Sequence, residues 1–192
     1  VAYSRAAAEY GLLDNDLTDV DVPLITSFVT DAKQISPSRY PAVNQAIKYT
    51  INPDLSATVI QTVKFPAVPG VDFVVFCTNL ASKDLKIEGI DSTKVRNTKS
   101  SSRNCMSVDV ISETELTFSF TTLPIESLQN REYNLEFGVS KNSGSEVISD
   151  FEVTINPALS LVKSLPQVPS IDNKIAFTQT LVSDQRITLT LK

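Results

Sequence analysis

Four cations, Lys94, Arg96, Lys99 and Arg103, fall within KVRNTKSSSRN with no acid among them. Such a stretch can grip a phosphate or an acidic patch on a neighbouring subunit. It lacks the interleaved aromatics and Gly-rich turn of specific nucleic-acid recognition. A solvated loop is the plain reading, a protein-contact loop the next, and nucleic acid the last. Four carboxylates, Asp14, Asp16, Asp19 and Asp21, crowd into DNDLTDVD. A hard cation such as calcium takes oxygen ligands in that pattern, but the Gly of the sharp turn and the bidentate Glu are missing. The segment reads as an acidic linker that caps a following helix. Glu113 and Glu115 flank a strand start and are expected to face water. A glycosidase carboxylate pair is defined by separation in space, which spacing along a chain does not supply.

The residue types that are missing exclude more than those present suggest. The chain has no His, which removes Ser-His-Asp and Cys-His nucleophile systems, histidine metal sites and imidazole acid–base chemistry. Five glycines in 192 residues leave little for a phosphate-cradling loop, and no Walker, dinucleotide or Gly-x-Ser-x-Gly motif occurs. Neither a cofactor nor a metal is expected. Cys77 and Cys105 are the two cysteines, too few for a disulfide scaffold. Two reduced, half-buried thiols are the plain reading, with one bridge as the alternative in an oxidising compartment.

Those groups must be positioned by the rest of the chain, whose composition is that of a globular protein: 42% hydrophobic, 20% charged, net charge -5. No run approaches the ~18 apolar residues of a membrane span, and the opening VAYSRAAAEY shows no signal-peptide core. An arm, residues 1–41, comes first. In it Ser4 can cap a short helix over Arg5–Leu13, and Leu24, Ile25, Phe28, Val29 and Ala32 recur at helical spacing. VPLITSFV also suits an edge strand.

Residues 42–157 read as a succession of strands. Candidates are Val43–Ile51, Ala57–Phe65, Val71–Asn79, Leu85–Ile90, Met106–Ile111 and Glu115–Leu123. Tyr133, Leu135, Phe137 and Val139 alternate with polar residues, as do Val147, Phe151, Val153 and Ile155, and an Asn-Ser-Gly-Ser turn between them predicts a hairpin. After Pro157, Leu159–Leu165 is a further strand, and Lys174–Val182 with Arg186–Leu191 forms a closing hairpin within 158–192. No repeat at a fixed period is evident.

The stretch LTFSFTTLPIESLQNREYNLEFGVSKNSGSEVISDFEVTI resembles the last three strands of an immunoglobulin-like sandwich. Tyr133 falls where such domains place their corner tyrosine, and Cys77 on an earlier strand where a core cysteine belongs. Leu135 stands where the second cysteine would be, and no Trp backs the core. The resemblance implies a mainly β fold, an antiparallel Ig-like sandwich with a partly helical N-terminal arm and a C-terminal hairpin. It implies no activity, because such sandwiches host many.

Three functions fit these residues. The first is a non-catalytic subunit of a larger assembly: a viral capsid, decoration or tail protein, or a filament. Its partners are copies of itself and other proteins of the same particle, at the virion or in an extracellular assembly. Leu24, Ile25, Phe28 and Val29, with Ile187, Leu189 and Leu191, would meet neighbours through apolar contacts, and Lys94, Arg96, Lys99 and Arg103 through charge. An extracellular Ig-like recognition module, which predicts a Cys77–Cys105 bridge, is the second. A hydrolase working through Asp, Glu and Tyr alone is the third.

Overall fold

The computed structural model describes residues 24–29, 43–65, 71–79, 82–99, 103–109, 114–123, 132–139, 147–182 and 185–192. The segments read as an Arg5–Leu13 helix and as an Asp14–Asp21 linker lie outside them. Among the described residues the chain is almost entirely strand, with one 3-10 turn at Ser92–Lys94.

Eight strands belong to the first part of the chain: β1 (Leu24–Val29), β2 (Val43–Ile51), β3 (Ala57–Phe65), β4 (Val71–Asn79), β5 (Lys83–Glu88), β6 (Val95–Lys99), β7 (Arg103–Asp109) and β8 (Thr114–Thr121). Six follow: β9 (Tyr133–Val139), β10 (Val147–Ile155), β11 (Leu161–Leu165), β12 (Ser170–Ile171), β13 (Lys174–Leu181) and β14 (Gln185–Leu191). Period-2 alternation of apolar and polar residues forms these strands, because each then buries one face. In β10 the odd-numbered residues Val147 to Ile155 are buried and the even-numbered ones are not.

The strands make three sheets. One has seven strands in the order β12-β13-β10-β2-β3-β8-β5; a second has the order β1-β4-β7-β6, and a third β11-β14-β9. Both smaller sheets cover the same face of the large one. Phe76 of β4 lies 5.2 Å from Phe118 of β8, and Tyr49 of β2 lies 4.3 Å from Phe137 of β9. The strands therefore sort by sequence into two lobes. The first, β1 to β8, is a four-on-four sandwich; the second, β9 to β14, is three on three. They are fused edge to edge through β2 and β10, which run parallel.

Several expectations change here. β9 and β10 do not form a hairpin: β9 pairs with β14 and β10 with β13 and β2. β13 and β14 are likewise no closing hairpin, since they lie in different sheets. Alternation dictates which face a strand buries, and both faces of the gap between two sheets are equally apolar, so neighbours in sequence can sit on opposite layers. The stretch from Leu24 whose spacing suits a helix or an edge strand is, at Leu24–Val29, an edge strand along β4. The large sheet is mixed, not wholly antiparallel, because of the β2–β10 pairing.

The repeat that looked absent is present at the seam. Each β10 residue pairs with the β2 residue 104 positions earlier, from Val147 with Val43 to Ile155 with Ile51. Both strands then run into the same heptapeptide pattern, Thr50-Ile-Asn-Pro-Asp-Leu-Ser56 and Thr154-Ile-Asn-Pro-Ala-Leu-Ser160. In the first copy Asn52 N donates to Ser56 O at 2.8 Å and the chain returns as β3. In the second, Ser160 N donates to Lys192 O at 2.7 Å and the chain crosses to the other sheet. The following residues explain the difference. By the same offset a returning β11 would turn Lys163 inward where β3 places buried Val59, and an unpaired buried ammonium is costly.

Candidate functional site

The seam itself is the most elaborate constellation of polar side chains among the described residues. Gln45 of β2, Gln61 of β3 and Ser149 of β10 all point into the core and are 5%, 0% and 0% exposed. Gln61 Nε2 donates to Gln45 Oε1 at 2.7 Å, and Gln45 Nε2 donates to Ser149 Oγ at 2.6 Å. The row runs across the lobe boundary, so it ties the register of β2 to that of β10. A one-residue slip of β10 along β2 would break the Gln45–Ser149 bond and turn every buried side chain of β10 to the wrong face. Gln61 Oε1 and the Tyr49 hydroxyl are buried without a hydrogen-bond partner among the described residues. Burial pushes the Tyr49 phenol far above the ordinary tyrosine range.

On the outer face of the seam, Lys48 stands beside Glu152 and Thr50 beside Thr154. A recess of about 330 Å³ opens there, lined by Ala46, Lys48, Asp150, Glu152, Ala176 and Thr178 among others. The two alanines make the hollow, while Thr178 Oγ1 donates to Asp150 Oδ1 at 2.5 Å. A second hollow, about 410 Å³, lies beside β11 between Leu161, Val162, Val168 and Pro169. It borders apolar Val162, about half exposed at 51%.

The perturbed carboxylates serve turns. Asp54 is held below the usual carboxylate range by hydrogen bonds from the Ser56 hydroxyl and then the Ser56 N–H. Asp91 is lowered by the Thr93 N–H and then its hydroxyl, each at 2.9 Å, and so starts the 3-10 turn. No group of three His, Cys, Asp or Glu residues able to hold a metal occurs among the described residues. Nor is any helix long and apolar enough to cross a membrane, which says nothing of strands.

The residues singled out from sequence are dispersed. Lys94 closes the 3-10 turn, Arg96 and Lys99 are on β6, and Arg103 opens β7. The supposed loop is thus largely strand, and β6 is an edge strand of the four-stranded sheet with Arg96 exposed. Leu24, Ile25, Phe28 and Val29 form β1 at the opposite edge, laid against this chain's own β4. Ile187, Leu189 and Leu191 are 2%, 0% and 0% exposed inside the second lobe. They pair with Phe137, Leu135 and Tyr133, so they are core and offer nothing to a neighbour. Glu115 forms an exposed ion pair with Lys64 at 3.7 Å. Tyr133, the expected corner residue, is half-buried on β9.

The cysteines also depart from the plain reading. Cys105 is disulfide-bonded and no cysteine is free among the described residues; Cys77 stands directly opposite it on the adjacent strand β4. The bridge lies within one sheet, unlike the inter-sheet bridge of immunoglobulin domains. Sequence reading missed the Gln45–Gln61–Ser149 row. Its one signal was a polar residue on the inward phase of each of three apolar strands.

No protein-family model matches the chain, and no curated protein matches it by sequence. Among solved structures it is similar to a crystal structure of an M1 zinc metallopeptidase from Deinococcus radiodurans. The TM-score is 0.39 at 10% identity, over 79% of this chain and 41% of that one. The chain thus spans well under half of that protein, and a likeness this loose bears on neither fold nor activity.

Proposed function

We propose that the chain is a non-catalytic structural module of a larger protein assembly, and that it works through its sheet edges. The observation that carries this reading is the seam. The molecule is itself built by joining two sandwiches strand to strand, with nine residue pairs in register. Strand addition of that kind satisfies otherwise open backbone groups and is a common means of joining subunits. The stretch read as Ig-like, Glu115 to Ile155, supplies β8 to the first lobe and β9 and β10 to the second. A capsid, decoration or tail protein of a virus is the finer form of the proposal, and it rests on analogy between sandwich folds.

The disulfide at Cys105 favours an oxidising setting. It suits a particle surface, and equally the second reading, an extracellular recognition module. Exposed Arg96 on edge strand β6, with Lys99, supplies the charge for a subunit contact. The Arg96→Glu/Lys99→Glu variant should weaken association of the purified protein, most strongly at low salt, where screening is least. Sedimentation velocity across salt concentrations tests this. Unchanged association would remove the edge from the contact, and a strictly monomeric protein with no co-purifying partner would end the assembly reading.

A further inference from the structure

We infer that the β2–β10 seam is an interface two copies of the chain can form in trans, the first lobe of one pairing with the second lobe of another. This rests on the assembly reading and names the surface and the partner. β2 is the last strand of its lobe's sheet, and so is β10. Parted at the seam, each lobe keeps both layers of its sandwich and exposes one strand edge. Those two edges fit each other whether or not one chain carries both.

The contacts select that fit. Inside, Gln45 meets Ser149 and Tyr49 meets Phe137; outside, Lys48 takes the register position beside Glu152. A lobe arriving from another copy satisfies the same set in the same register and loses nothing. Opening at the seam leaves every strand within each lobe paired as before. The seam is parallel, a slightly weaker ladder per residue than its antiparallel neighbours, and beside it Gln61 Oε1 and the Tyr49 hydroxyl have no hydrogen-bond partner among the described residues to lose.

The edges at β5, β11 and β13 are blunted or covered. β5 has an irregular register and exposed Lys83, Asp84, Lys86 and Glu88. β11 has a bulge, and Lys163 at its middle would face itself in a two-fold pairing. The first residues of β13 are covered by β12.

Because the contacts are equal in cis and in trans, concentration decides between them. A tethered lobe sees its partner at an effective concentration on the order of millimolar. The chain is therefore closed in dilute solution and exchanges when copies are held together at comparable density. Reciprocal exchange makes a closed dimer, and successive exchange an open row.

The test uses Lys48→Cys and Glu152→Cys, side chains on the outer face away from the core. A short bis-maleimide should close the double variant within one chain. An equimolar mixture of the two single variants, incubated near millimolar in subdenaturing urea and returned to buffer, should give covalent dimers. At micromolar concentration it should give none. A mixture that stays uncross-linked at millimolar, while the double variant closes, overturns the exchange and leaves assembly through other edges standing. A double variant that fails to close overturns the seam, and dimers of either single variant alone overturn its specificity.

Discussion

Replacing Tyr49 by Phe should stabilise the protein, against the usual direction of core substitutions. Tyr49 is 1% exposed, its ring packs on Phe137 at 4.3 Å, and its hydroxyl has no partner among the described residues. Leaving a buried hydroxyl unsatisfied costs about 1–3 kcal/mol, so removing the oxygen while keeping the ring should raise unfolding free energy by roughly 1 kcal/mol or more. The pH dependence supplies an independent reading. Burial raises the Tyr49 pKa above that of the unfolded chain, so above pH ~10 the unfolded state has released a proton that the folded state retains. Stability linked to this group is complete below pH ~10 and falls as pH rises, by about 1.4 kcal/mol between pH ~9 and ~11. Tyr49→Phe lacks this loss. Urea titrations of both proteins at the two pH values measure it as a difference of differences, in which every other tyrosine cancels. A variant less stable at neutral pH by about 1 kcal/mol or more would show that the hydroxyl is bonded. One with the same alkaline slope as its parent would show that burial does not raise the Tyr49 pKa; either result refutes the reasoning.

Three further outcomes can be checked, two of them with the same denaturant assay. Gly89 has φ 94° and an added Cβ would sit 2.5 Å from the Glu115 carbonyl oxygen, so Gly89→Ala should cost roughly 2–3 kcal/mol; a loss under about 0.5 kcal/mol would mean that the turn relaxes freely. Thiol titration of the native protein should find no free cysteine, and the Cys105→Ser variant should expose one reactive thiol and lose roughly 2–4 kcal/mol.

Much of the strand content was legible because the first lobe obeys the pleat. Val43–Ile51, Ala57–Phe65 and Val71–Asn79 form strands over the very residues their alternation predicts. β6 was hidden because Val-Arg-Asn-Thr-Lys, with one apolar residue, carries no period. β12 is two residues long, closed by Asp172 and Asn173 at φ 50° and 58°, a turn whose residue types were a usable signal. The candidate site was almost wholly illegible. A Gln on the inward phase of a strand is a blemish in a pattern until its partner is known, and Gln45 finds Ser149 from 104 residues away.

The sequence by itself determined the material: strands with one wet and one dry face, no imidazole chemistry and a charge balance spread over many edges. Those follow from residue type and period, which are local. Tertiary structure alone decided which strands are neighbours, because burial is non-directional and any apolar face can cover any other. It placed Ile187, Leu189 and Leu191 in the core and parted β9 from β10. It also sent two copies of one turn to different destinations, since a buried lysine is costly and a buried valine is not. The parallel contact between β2 and β10 comes from the same source, and it turns two short sandwiches into one molecule.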